Sequence, residues 1–231
     1  MTELVSLAAL AFQSAVLALC LVAIQRENVP AAVNGVAALV LTLVPAVLDI
    51  ALEIRLGPEL PLWIAVAGTL HSLGMLGLYD STWWWDHLTH TVSAGLVAAL
   101  IYASVVVTPP NLFGITNASD VAAIVTVGLT LAVGVFWEVL ELVARAIGYR
   151  YDIPPVLVHY GWRDTLADLV FDTVGALVVV GLELRVFVSI AETHPDATGT
   201  LLVWTAWGVV LGSVAASLVL IVGRISGVGG R

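Results

Sequence analysis

Apolar runs of about 20 residues, repeated along the chain and parted by short polar breaks, constrain this sequence more than any other feature. A run of that length, wound as a helix, matches the roughly 30 Å hydrocarbon core of a bilayer. Seven such runs are legible, at residues 4–24, 31–54, 59–79, 86–107, 120–146, 165–188 and 200–223. Backbone groups in lipid must be satisfied within their own segment, so each run is expected to be a helix. The expected fold is therefore all-α, a polytopic transmembrane helix bundle of about seven spans forming one domain over residues 1–231. Composition agrees: 60% of the residues are hydrophobic and 11% charged, against roughly 45–50% and 25% in a soluble domain. Helix breakers fall between the runs. Pro30 opens the second, Gly57, Pro58 and Pro61 part the second from the third, and Thr108-Pro109-Pro110-Asn111 closes the fourth. Pro45 lies inside the second run, where a kink is expected because its ring removes a backbone hydrogen bond.

The 8 basic residues are all arginine, and 17 residues are acidic. That balance argues against nucleic acid or an anionic surface as the main partner. An acidic chain without lysine points to a salt-rich source such as a halophilic archaeon, although a GC-rich genome biases codons the same way. The single cysteine, Cys20, sits inside the first run, so neither an intramolecular disulfide nor a thiolate cluster can form. Leu4 to Ile24 lacks the basic start of a signal peptide and is read as a span. With seven spans, Arg26, Arg145, Arg150, Arg163, Arg224 and Arg231 fall on one side, and Arg55 and Arg185 on the other. The positive-inside rule then puts the N-terminus outside and the C-terminus in the cytoplasm of a multi-pass cell-membrane protein.

Ionisable residues inside spans are costly and tend to mark function. Here they gather at helix ends that the topology brings to one side. His71 lies near the end of the third span; Asp86, His87 and His90 open the fourth, inside the stretch WWWDHLTH; Glu138 and Glu141 end the fifth; Asp164, Asp168 and Asp172 open the sixth. Asp86 and His90 are four apart and share a face, Glu138 and Glu141 are three apart, and the three aspartates follow one stripe. Carboxylates on several helices with histidine added are how helix bundles build di-metal sites, for Mg, Mn, Fe or Zn. The expected ligands are His71, Asp86, His90, Glu138, Glu141, Asp164 and Asp168. His90, Glu138 and Asp168 are the expected catalytic groups. Asp172 lies about 12 Å deeper than Asp164 at 1.5 Å per residue, and is expected behind the ligands. His87 points about 100° off the shared face and is a weaker candidate.

A plainer account covers part of this. Acidic residues in a first helical turn, such as Asp86 and Asp164, favour the helix dipole, and Glu141 with Arg145 one turn on makes an ordinary pair. Trp83, Trp84 and Trp85 suit an interfacial aromatic belt, and Gly208 with Gly212 suits close helix packing. The connection from Gly148 to Arg163, which contains Asp152, Pro154-Pro155 and His159, is long enough to act as a lid beside the site.

Known chemistries narrow the choice. A retinal Schiff base needs a lysine, and none is present. No H-E-x-x-H, G-x-S-x-G or P-loop occurs, nor the D-G-x-x-A-R or second aspartate-rich helix that lipid headgroup and prenyl transferases use. The motifs H-S-L-G at His71, W-D-H-L-T-H from Trp85, W-E-V-L-E from Trp137 and R-D-T-L-A-D-L from Arg163 together resemble the YjdF-like, DUF2238-type family of multi-pass membrane proteins. The resemblance covers about residues 60–180. That family's pattern of His-x-x-Gly, D-x-x-x-H, E-x-x-E and W-D-x-x-x-D maps onto His71, Asp86, His90, Glu138, Glu141, Asp164 and Asp168. This chain has Gly161-Trp162 where the family commonly has Gly-Asp, so one acidic group is missing. The resemblance implies a site and carries no assigned activity.

Two activities fit such a site, a metal-dependent enzyme acting on a lipid or isoprenoid, and a divalent cation or proton transporter; the remaining alternative is a structural membrane protein. A transporter needs polar groups continuing across the bilayer. Residues 121–135 and 177–180 are nearly bare of them, which favours a one-sided enzyme site.

Overall fold

The computed structural model describes residues 2–54, 56–108 and 118–225. Arg55, Arg231 and the break at Pro109, Pro110 and Asn111 lie outside them. Among the described residues the regular structure is helical, with no strand. The elements are α1 (Thr2–Gln25), α2 (Val29–Leu52), α3 (Glu59–Leu73), a π turn (Gly74–Leu78), α4 (Tyr79–Ser81), α5 (Trp85–Val107), α6 (Ala118–Tyr151), α7 (Trp162–Gly181), α8 (Val188–Thr193) and α9 (Pro195–Ile225). Six stretches among the described residues are long and apolar enough to cross a membrane: Thr2–Gln25, Val29–Ala51, Glu59–Ser81, Trp85–Val107, Asp120–Tyr151 and Pro195–Val222. The protein is a polytopic helical membrane protein.

The remaining expected span, at 165–188, corresponds to α7, which begins and ends earlier than the apolar run. Its 20 residues would rise about 30 Å, enough to cross, but Arg163, Asp164, Asp168 and Asp172 make it the most polar of the long helices. It stops because Glu183 takes a left-handed φ of 48° and Leu184 N–H bonds back to the Val179 carbonyl at 2.9 Å. That is a Schellman-type closure.

The chain divides into two compact units, Met1–Leu96 and Val97–Arg231, with the boundary inside α5. In the first, α1, α2 and α3 pack against one another. Their contacts use small residues: a Cβ on Gly68 would meet Ala38 Cβ at 3.0 Å, and one on Gly35 would meet Cys20 Cβ at 3.1 Å. Close backbone approach gives dispersion contact where lipid supplies no hydrophobic drive. Asn28 caps α2 through Ala31 N–H at 3.1 Å, and α2 continues through Pro45. The third run does not end as one smooth helix. Gly77, at φ 125°, allows the π turn after α3, and Gly74 leaves the space that the Tyr79 ring fills.

In the second unit α6 packs against both α7 and α9, and α8 against α9. Gly212 of α9 admits the Phe136 ring of α6, whose edge a Cβ would meet at 2.9 Å. α6 closes as α7 does, with Asp152 at φ 54° and Ile153 N–H on the Gly148 carbonyl at 3.1 Å. Residues 152–161 therefore turn back along the last turns of α6 before Gly161, at φ 121°, starts α7.

Candidate metal centre

Glu138 and Glu141 lie one turn apart on α6, and the returning loop brings His159 against both. The His159 Nδ1 is 3.8 Å from Glu141 Oε2 and 4.0 Å from Glu138 Oε2. One ligand atom from each of the three residues lies within 4.8 Å of the other two. Glu138 is buried, 5% exposed, and its Oε1 makes no hydrogen bond within the described residues. The same is true of His159 Nδ1.

Each carboxylate accepts one hydrogen bond from a side chain, Glu138 on the same Oε2 that faces His159. Thr165 Oγ1 donates to Glu138 Oε2 at 2.6 Å, and Trp137 Nε1 donates to Glu141 Oε1 at 3.1 Å, leaving Glu141 Oε2 turned to His159. Metal-binding carboxylates and histidines are normally oriented by such outer hydrogen bonds.

The separations fit a cation better than a direct clamp. A protonated imidazole buried between two carboxylates would close to about 2.7–2.9 Å, whereas these groups stand beyond hydrogen-bond reach. Two atoms each about 2.1 Å from a shared ion stand at most about 4.2 Å apart, and both separations to His159 fall inside that limit. Two carboxylates and one imidazole suit Mn, Fe or Zn, with coordination positions left over.

His159 also lines a cleft of about 620 Å³ together with Arg145, Tyr149, Asp152, Pro154 and Pro155. The guanidinium of Arg145 sits over the Tyr149 ring, 5.6 Å from its centroid. His159 thus borders a recess that is part apolar, part charged.

The other residues expected from sequence are placed as follows. On α7, Asp168 and Asp172 are buried, at 2% and 5% exposure, and Asp164 is half-buried in the first turn. On α5, His90 Nε2 lies 3.8 Å from Asp86 Oδ1. Both ring nitrogens of His71 are in hydrogen bonds, Nδ1 with Tyr79 Oη at 2.8 Å and Nε2 with Asn34 Oδ1 at 3.1 Å. Asn34 and Tyr79 had no place in the sequence-derived site. Neither had His159 as a ligand; it was legible only as part of a loop beside the acidic helix ends.

A family model described as a predicted membrane protein (DUF2238) matches residues 7–189. No curated protein and no solved structure matches the chain.

Proposed function

The chain belongs to the DUF2238 family of predicted membrane proteins, and we propose that it is a metal-dependent membrane enzyme whose ion is held by Glu138, Glu141 and His159. The convergence of these three groups, with Thr165 and Trp137 each donating to one of the carboxylates, carries the reading. A three-ligand site leaves a position for water or substrate oxygen. The ion would polarise that oxygen or lower the cost of forming hydroxide, and a neighbouring carboxylate would take up the proton. Asp168, buried on α7 three residues beyond Thr165, is the proposed base.

The substrate class proposed is a lipid or isoprenoid. Ile153, Pro154, Pro155 and Val158 offer apolar contact in the cleft, and Arg145 and Asp152 offer polar contact to a headgroup. With α7 counted as a span, the arginine distribution favours a cytoplasmic position for this end of α6. The same substitution test, applied one by one to His71, Asp86, His90, Asp164 and Asp168, asks whether any other residue expected from sequence holds metal.

Elemental mass spectrometry of the purified, detergent-solubilised chain tests the reading. Wild type is expected to carry about one Fe, Mn or Zn per chain, as a three-ligand site holds. Glu138→Ala and His159→Ala are expected to lose it at unchanged helix content. Metal retained in both variants would refute this site.

A further inference from the structure

The buried face of α6 is polar where a membrane helix would ordinarily pack with small apolar groups. At four-residue intervals its covered positions are Thr126, Thr130, Gly134 and Glu138, while Ile124, Leu131 and Val135 are exposed. Positions four apart lie on one stripe. Thr126 and Thr130 are 0% and 2% exposed.

Several helical hydroxyls among the described residues find a backbone acceptor; theirs, like Ser72 Oγ on α3, do not. Thr69, Thr89, Thr91, Ser104, Thr173 and Ser213 each donate to the carbonyl four residues back. Thr126 Oγ1 and Thr130 Oγ1 have no hydrogen-bond partner within the described residues. Two buried, unpaired hydroxyls on one stripe call for an explanation.

The next position supplies one. Gly134 has no side chain, and the space its Cβ would fill is taken by the Asp172 Oδ2 of α7. Asp172 is itself 5% exposed. The stripe therefore reads hydroxyl, hydroxyl, carboxylate, carboxylate from Thr126 to Glu138. Twelve residues at 1.5 Å make this about 18 Å, and about 22 Å to Glu141, out of a hydrocarbon core of roughly 30 Å. Within the stretch that looked bare in sequence, residues 121–135, the helix thus carries two hydroxyls and accommodates a carboxylate from its neighbour.

We infer that this face of α6 and α7 is a proton path, running through Thr126, Thr130 and Asp172 to Glu138 and Glu141, where His159 borders the cleft. Successive levels are about 6 Å apart, a gap that one bridging water closes between polar groups. Hydroxyls both donate and accept, and a carboxylate takes up and releases a proton, so the chain of groups is complete for proton transfer. A metal cation is excluded from the same route. Cations such as Mg or Ca require about six or more oxygen ligands, and at Gly134 the carboxylate lies directly on the helix backbone. Buried ionisable groups in spans commonly serve proton relays. The inference does not rest on the metal reading, because Thr126, Thr130, Gly134 and Asp172 are none of its proposed ligands.

The test uses the full chain in liposomes loaded with a pH-sensitive dye, with a potassium gradient and valinomycin setting an inside-negative potential. Wild type is expected to acidify the lumen several-fold faster than protein-free liposomes. Asp172→Asn is expected to return the rate to the protein-free value, and the isosteric Thr130→Val to lower it several-fold. Ser213→Ala, on α9, is expected to keep the wild-type rate. Helix content and a single size-exclusion peak for Thr130→Val separate loss of conduction from loss of fold. A wild-type rate equal to that of empty liposomes, or Asp172→Asn and Thr130→Val both at the wild-type rate, overturns the path. Metal content measured on the same samples keeps the two readings apart: flux without metal sinks only the metal centre, and metal without flux sinks only the path.

Discussion

Thr165 and Trp137 hold two glutamates of α6 in the orientation that the proposed metal site needs. Each gives one hydrogen bond to a carboxylate oxygen, at 2.6 Å and 3.1 Å, and each bond limits the rotation of a long side chain. Replacing Thr165 with Val keeps the shape and removes the donor. The expected result is metal affinity weaker by about 10- to 100-fold, read by competition with a chelator of known affinity, while Thr173→Val changes nothing. Equal affinity in Thr165→Val would mean the hydroxyl merely fills space. At this scale the sequence singled out the glutamates and gave His159 only as part of a loop beside them. Glu138 and Glu141 announce themselves because ionisable residues stand out in an apolar run and their spacing of three puts them on one face. His159 lies in a segment with no periodicity, and its place follows from Asp152 taking a left-handed φ of 54°, which reverses the chain toward α6. Left-handed backbone at a non-glycine residue leaves little trace in composition.

Helices were legible as elements because each long apolar run in a bilayer has one stable backbone solution. Their ends were less so. α7 stops at Gly181 while the apolar run continues to residue 188, because hydrophobicity does not encode the closure at Glu183. The third run likewise breaks into α3, a π turn and α4, and there Gly74 and Gly77 give a hint that spacing alone did not resolve. The packing of α6 on α7 depends on a single absent side chain. Gly134→Ala would drive a methyl into the Asp172 carboxylate, which has the Leu169 side chain beside it, 3.2 Å from the same point. Overpacking of this kind costs about 1–3 kcal/mol. Thermal unfolding in detergent should show Gly134→Ala melting well below wild type, whereas Gly128→Ala, where an added Cβ meets nothing within 4 Å, should melt at or above it. A Gly134→Ala protein as stable as wild type would mean that α6 and α7 do not meet closely at this level, and would remove the contact that brings Asp172 to the stripe.

For the molecule as a whole, the open term is how many times the chain crosses. Six stretches meet the demands of length and apolarity by themselves; α7 meets the length and carries four charged residues. Two of those charges, Asp168 and Asp172, are covered by protein, at 2% and 5% exposure, while Leu166, Val170, Val174, Leu177 and Val178 are exposed. A helix with its charges covered and its apolar residues outward is arranged for lipid, since the cost of an intramembrane charge falls when it is turned into the bundle. On this argument α7 is expected to cross as a seventh span in spite of its composition, which would put residues before α1 and after α9 on opposite sides. Single cysteines introduced on a Cys20→Ala background, one at Glu27 and one at Asp196, give the test. Between Glu27 and Asp196 lie α2, the α3–α4 run, α5, α6 and α7, five crossings if α7 spans and four if it does not. In right-side-out vesicles an impermeant maleimide should label one of the two positions and not the other. Labelling of both, or of neither before lysis, would make the crossings between them even and lay α7 along the membrane surface, where its buried aspartates would lose the lipid-side reason for their burial.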